Sequence, residues 1–249
     1  MLSYLIQFVF KYRQDICIQN ISRAFPDLSY HEIKQQIGEF YANFARIIWE
    51  IIFFNRTKLI VDSQTTELFD NIAALNRPVI LLLGHYGNWE VLNKLPMYTP
   101  LPVQALYKPL KNRLFNTLIL RRRSQFGIRL IESTKALRTL IHEKDKSTIT
   151  LFISDQYPGN KNGLPLTFLN QPTYMFTGAE AISRRINAYV AYLELRPIGN
   201  HSWTISIQTI TENAALAEKN EITKQFTKRL EGSIQHSPSW WLWSHRRWK

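Results

Sequence analysis

The sequence predicts an α/β fold: a mostly parallel central sheet flanked by helices on both faces. Three observations predict it. Runs such as PVILLLG (78–84) and STITLFI (147–153) are mostly apolar and carry no charged residue, so they read as strands buried on both faces. Segments of helical spacing separate such runs, giving a βα alternation. The chain's 249 residues, 45% of them hydrophobic, can fill one sizeable core, so a single domain over 1–249 is expected, with residues 1–60 forming an amphipathic helical arm.

The arm opens with LSYLIQFVF, which ends at Lys11, Tyr12 and Arg13. It falls short of the roughly 20 apolar residues that cross a bilayer and lacks a signal-peptide cleavage pattern. It reads as a short interfacial helix with basic flanks or as the tail of a removed anchor. PDLSYHE then sets Ser29 three residues before Glu32, a capping-box signature. After it Ile33, Ile37, Phe40, Tyr41, Phe44, Ile47, Ile48, Ile51 and Ile52 recur at helical spacing. That stripe suits a core-facing helix, or a surface laid against lipid or over an apolar tunnel.

A helical TTELFDNIAAL precedes the strand PVILLLG, and a short helix WEVLNKL follows it. LPVQALY is a strand, NRLFNTLILRRRSQF a helix, IRLI a short strand after Gly127, and TKALRTLIHE a helix capped by Ser133. STITLFI is the next strand, and YPGNKNGLP a loop. Beyond it TFL reads as a strand, TGAEAISRRI as a helix, AYVAYLEL and SWTISIQTI as strands, and 214–235 as a final helix. In such a sheet, sites lie at the carboxyl ends of the strands.

Thirty-one Lys and Arg against 19 Asp and Glu give a net charge of +12, which attracts polyanions: nucleic acid, anionic lipid headgroups or an acidic carrier protein. The single Cys17 excludes an internal disulfide and a zinc cluster, and reads as a small helix-packing residue. No G-x-S-x-G elbow, Walker A loop, C-x-x-C or G-x-G-x-x-G occurs, and neither His31-Glu32 nor His142-Glu143 completes H-E-x-x-H. Serine hydrolase, P-loop, zincin and dinucleotide-binding chemistries fall away, and no spacing proposes a metal site, so catalysis without metal or other cofactor is expected.

What remains is LLLGHYGNWE (81–90), with His85 at the end of a strand and Glu90 five residues on. Six histidines and 19 acids in 249 residues yield about 0.5 such pairs by chance, so the weight lies in the context. Gly84 and Gly87 permit a tight turn, and Asn88 suits the N-cap of WEVLNKL. On one straight helix the two side chains would stand some 140° apart, so only the turn can unite them. Glu90 would then fix the imidazole's tautomer and stabilise the imidazolium. With no Ser or Cys nucleophile beside it, the pair suits direct transfer: His85 takes a proton from a substrate hydroxyl or amine attacking an activated acyl group, and amides at the start of the next helix hold the oxyanion. The alternative is a polar loop histidine that only braces a turn, in a non-catalytic basic module binding membrane or nucleic acid.

Beyond this motif, the chain resembles the bacterial lipid A biosynthesis acyltransferases, related to the glycerolipid acyltransferases that share H-x-x-x-x-[D/E]. The resemblance runs through YRQDICIQNISRAFPDLS, GHYGNWE, LYKPLKN with RSQFG, the SDQ at 154–156, FLNQPTYMFTGAEAISRR and the terminal WLWSHRRWK. It implies a glycerolipid acyltransferase-like fold and acyl transfer from acyl carrier protein, or from acyl-CoA as co-substrate. The implied acceptor is an amphiphile at the cytoplasmic face of the bacterial inner membrane, most directly a lipid A precursor. Relatives also acylate lysolipids, aminoacyl lipids or aryl polyene intermediates, so a non-lipid A amphiphile stays open. The implied partners are acyl carrier protein, anionic membrane lipid and the lipid acceptor, with no nucleic acid.

Carried over by position, His85 is the general base and Glu90 its partner, while Arg123, Asp155 and Gln156 stand near the mouth of the active site. Arg123 would hold an acceptor phosphate or carboxylate, or with Arg121 and Arg122 form a solvated helix end. Asp155 would orient a basic group at the end of its strand. Asn88 and, in the closing segment, Arg246 complete the expected substrate-binding set, with Trp240, Trp241, Trp243 and Trp248 as anchors. Family members usually carry a hydrophobic amino-terminal membrane segment. Here LSYLIQFVF stands in its place, implying peripheral binding or an anchor outside this sequence.

Overall fold

The computed structural model describes residues 2–9, 12–110, 112–159 and 163–248, except for the side chains of 8, 9 and 115. The arm begins with α1 (Leu2–Tyr4), a π-turn over Leu5–Val9 and α2 (Gln14–Ala24), and continues into the 23-residue α3 (Tyr30–Ile52). Residue 10 of LSYLIQFVF, Lys11 beside it, and part of the YPGNKNGLP loop lie outside the described residues. The capping box forms: Ser29 Oγ accepts from the Glu32 amide and Glu32 Oε2 from the Ser29 amide. The α3 stripe packs inward through Ile37, Phe40, Tyr41 and Ile47, while Ile52 at its end is exposed. Cys17 is fully buried in α2, and burial pushes its thiol up to about 11. No helix among the described residues is long and apolar enough to cross a membrane.

The body follows as β1 (Lys58–Ile60), α4 (Ser63–Ala74), β2 (Val79–Leu83), a 3₁₀ segment (Trp89–Met97), β3 (Val103–Tyr107), α5 (Arg113–Arg123), β4 (Arg129–Glu132), α6 (Ala136–His142) and β5 (Ile149–Ile153). Then come β6 (Leu164–Phe168), β7 (Gln171–Met175), α7 (Gly178–Arg185), β8 (Tyr189–Pro197), β9 (Ser202–Thr211) and α8 (Glu221–His236). Seven strands form one sheet in the order β1-β9-β8-β2-β5-β3-β4, parallel throughout except for the β8/β9 pair. Every residue of β2 is buried because its side chains enter two cores: Ile80 and Leu82 pack with α2, α3, α7 and α8, and Val79, Leu81 and Leu83 with α4 and the 3₁₀ segment. The α/β class and mostly parallel sheet are those expected.

Local departures have physical reasons. WEVLNKL winds as 3₁₀ rather than α-helix, over a stretch that contains Pro96, which has no amide to donate. Ser133 caps nothing with its side chain; the helix starts at Ala136 behind Lys135, and Ser133 contributes only its carbonyl. The last helix begins at Glu221, because Asn220 takes a left-handed turn with its amide on Glu180. TFL belongs to β6, which pairs with the unforeseen β7 across Leu169 and Asn170, both at positive φ.

Candidate active site

β2 and β5 are parallel neighbours in the register Leu83↔Ile153, so both strands release the chain at one level. Two residues beyond that pair stand His85 and Asp155. His85 Nδ1 lies 2.7 Å from Asp155 Oδ1, and the His85 amide donates to Oδ2 at 2.8 Å. Gly84 makes the approach possible, since a Cβ there would stand 2.7 Å from Leu230 and 3.3 Å from Asp155 Oδ2.

A third donor comes from the far end of the chain. Trp241 Nε1 donates to Asp155 Oδ2 at 2.8 Å, from a fully buried ring. The Trp241 segment pairs with the His85 turn like a short strand: Leu242 donates its amide to His85 O and Gly87 to Trp240 O, each at 3.0 Å. The turn is held from beneath as well. Gly87 has φ 67°, and a Cβ on it would meet Trp203 at 2.7 Å. Asn88 is fully buried; its Oδ1 accepts from the Glu90 amide and its Nδ2 donates to Glu50 at 2.7 Å. Glu50, also fully buried, accepts further from Arg46, Trp203 and His201.

Burial presses the Asp155 carboxyl upward, but the facing His85 ring, its amide and the Trp241 indole outweigh that and hold it down at about 2. The carboxylate therefore stays ionised at neutral pH. It accepts from a ring N–H at Nδ1, which leaves Nε2 as the basic nitrogen. On that side Gln156 Nε2 lies 3.5 Å away.

Glu90, expected to be the partner of His85, makes another bond. It receives Arg123 through Nε at 2.9 Å and through Nη2, a bidentate pair joining the 3₁₀ segment to the end of α5. Burial works against the charge of Arg123 and Glu90 outweighs it, so the guanidinium stays cationic. Nη1 has no hydrogen-bond partner among the described residues. The physical reason for the exchange is reach: Asp155 arrives on the adjacent strand at the level of His85, whereas Glu90 stands past the turn, where Arg123 comes in from α5.

His85, Glu90 and Arg123 line one cavity of about 780 Å³. Its walls are mostly apolar, with Leu106, Leu120, Leu130, Phe152 and Ile182 among them, and Lys108 and Arg185 add positive charge. Asp155 and Gln156 stand behind and beside His85. Two expected substrate-binding residues are not on this wall. Asn88 is spent inside the protein on Glu50, and Arg246 is solvent-exposed. Its neighbour Arg247 is the buried one, on Thr173 Oγ1 at 2.6 Å and the Tyr174 carbonyl at 3.0 Å. Of the amides at the start of the 3₁₀ segment, those of Glu90 and Val91 are taken, Glu90 by Asn88 Oδ1 and Val91 by the Asn88 carbonyl. The residue missed in sequence is Trp241, read only as an anchor. Its signal was a tryptophan in a segment dense with basic residues, which does not reveal a carboxylate at its indole.

A family model described as bacterial lipid A biosynthesis acyltransferase matches residues 2–249. The lipid A biosynthesis palmitoleoyltransferase of Escherichia coli (strain K12) is 23% identical over 248 residues, covering 96% of this chain and 79% of the relative. The lipid A biosynthesis acyltransferase of Shigella flexneri is similar at the same identity and coverage. With the match spanning the chain, the protein is an acyltransferase and belongs to the bacterial lipid A biosynthesis acyltransferase family.

Proposed function

We propose that the protein transfers a fatty acyl chain from a thioester, on acyl carrier protein or coenzyme A, directly to a hydroxyl of a lipid A precursor. The reading has the reaction occur at the cytoplasmic face of the inner membrane, with the protein held there peripherally. The observation that carries it is His85, with Nδ1 tied to an ionised, buried Asp155 and its ring on the wall of a large apolar cavity. The names of the two relatives support lipid A as the acceptor class.

In this mechanism His85 Nε2 takes the proton of the acceptor hydroxyl as its oxygen attacks the thioester carbonyl carbon. Asp155 stabilises the imidazolium that forms, and Trp241 and the His85 amide keep the carboxylate aimed at Nδ1. Collapse of the tetrahedral intermediate breaks the C–S bond, and the imidazolium returns the proton to the departing thiolate. The cationic Arg123, steadied by Glu90, is the group suited to the developing oxyanion or to an acceptor phosphate, since the Glu90 and Val91 amides are occupied. The apolar walls suit the acyl chain.

The test is transfer of a labelled acyl chain from acyl carrier protein to a lipid A precursor by the purified protein. His85→Ala is expected to abolish transfer with folding intact; full activity in that variant refutes the mechanism. Mass spectrometry of lipids from cells with and without the protein tests the acceptor. Loss of one secondary acyl chain from lipid A is the expected difference, and unchanged lipid A refutes that acceptor.

A further inference from the structure

Helix α5 is a plate with two unlike faces. Asn116, Ile119, Leu120 and Arg123 recur at helical spacing and line the cavity. On the opposite side Leu114 and Leu118, one turn apart, are 85% and 61% exposed, and Arg121 continues the same stripe in solvent. Single exposed leucines need no explanation, but an aligned pair on a helix roofing a lipid-sized cavity does.

The patch extends beyond the helix. Arg122 Nη2 donates to the Ile52 carbonyl at 2.7 Å, drawing the end of α5 against the end of α3, where Ile52 and Phe53 are exposed. Arg56 lies over the Phe53 ring, 5.6 Å from its centroid. At the other end of α5, Leu110 is exposed at the cavity rim, as are Leu137 and Phe176 on its far side. Exposed aliphatic and aromatic groups thus share α5, the end of α3 and the cavity rim with the exposed Arg113, Arg121 and Arg56.

We infer that the outer face of α5, with Ile52 and Phe53, is the surface on which the protein rests on an anionic bilayer, setting the cavity mouth at the headgroup layer. The inference rests on the acceptor's being a membrane lipid, and it moves the contact from LSYLIQFVF at the start of the arm to α5 and the end of α3. Charge decides that the bilayer is anionic: the arginines between the apolar groups match a negative surface. The apolar groups decide for lipid over an acidic protein. Basic residues alone would serve a carrier protein, whereas leucines this exposed gain only where hydrocarbon is near. A lipid acceptor could then enter between α5 and the Leu137–Phe176 rim without passing through water.

The test is flotation of the full chain with vesicles of phosphatidylethanolamine and phosphatidylglycerol, and with vesicles of phosphatidylcholine alone. The wild type is expected to float with the first and much less with the second. Leu114→Glu with Leu118→Glu should cut partitioning at least about ten-fold, and Arg121→Glu about five-fold or more. Far-ultraviolet circular dichroism should be unchanged, and acyl transfer to a detergent-dispersed acceptor should persist. A double variant that floats like the wild type, or a wild type that does not float, overturns the inference. So does a double variant that keeps its vesicles and loses acyl carrier protein, which would make α5 a protein-docking face. Absence of acyl transfer by the wild type in detergent would instead overturn the proposed function, whatever the flotation result.

Discussion

Asp155→Asn tests the geometry most sharply, because the two side chains are nearly isosteric and differ in what they accept. The carboxylate receives the His85 ring at 2.7 Å and, on its other oxygen, the His85 amide and the Trp241 indole, each at 2.8 Å. Asparagine has one accepting oxygen, and two of the three donors converge on Oδ2, so the amide oxygen settles there. Its NH₂ then faces Nδ1 and imposes the tautomer with the proton on Nε2, where the base must be free. In a Ser-His-Asp triad that error costs about 10⁴-fold in kcat, near 5.5 kcal/mol of transition-state stabilisation. We expect a loss of that order in acyl transfer followed by mass spectrometry of the product lipid. KM should move less than about three-fold, since Asp155 is buried behind His85 and is no part of the cavity wall. A variant within about ten-fold of wild-type kcat would refute Asp155 as the group that fixes the base.

Glu90→Gln, by contrast, disturbs Arg123 and not His85. It should lower kcat/KM about 30-fold, the worth of about 2 kcal/mol for a partly buried charge pair, and leave the proton of the His85 ring on Nδ1 by nitrogen-15 NMR; a change of tautomer would restore Glu90 as its partner. Gly87→Ala places a methyl group at φ 67°, 2.7 Å from Trp203. The cost should be about 1–3 kcal/mol in urea unfolding, and an unchanged midpoint would contradict the packing under the turn. Asp155 also predicts an acid limb. Its folded value of about 2 lies below the ordinary 3.8, so its contribution is complete above about pH 4 and is lost as pH falls through about 2. The loss is about 2 kcal/mol by tryptophan fluorescence, and Asp155→Asn should remove that limb.

The sheet was legible because its inner strands are mostly apolar, β2 throughout, and the position of His85 because PVILLL ends abruptly at Gly84. Its partner was not. Nothing within LLLGHYGNWE states that β5 lies beside β2, and only that adjacency makes Asp155 the residue level with His85. The one local sign is that both follow an apolar strand by two residues. Glu90 satisfies the turn geometry and the H-x-x-x-x-[D/E] pattern, but neither carries any sign of what α5 brings to meet it. The β6/β7 hairpin was hidden for another reason. Leucine is a poor residue for positive φ, and Leu169 holds φ 49° because its buried side chain, and its amide on Glu231, fix it from outside the turn. β1 was missed because three residues carry too little pattern. The long-range bonds of Asn20 to the Trp243 and His245 carbonyls, which fasten the arm to the closing segment, likewise have no trace in local spacing.

The central claim is that His85 presents an unprotonated Nε2 because Asp155 holds the proton on Nδ1. Nitrogen-15 NMR of the histidine ring, assigned by comparison with His85→Ala, measures this in the resting protein near neutral pH. The account predicts a proton on Nδ1, a bare Nε2, and inversion of the two in Asp155→Asn. A proton on Nε2 of the wild-type ring would contradict it.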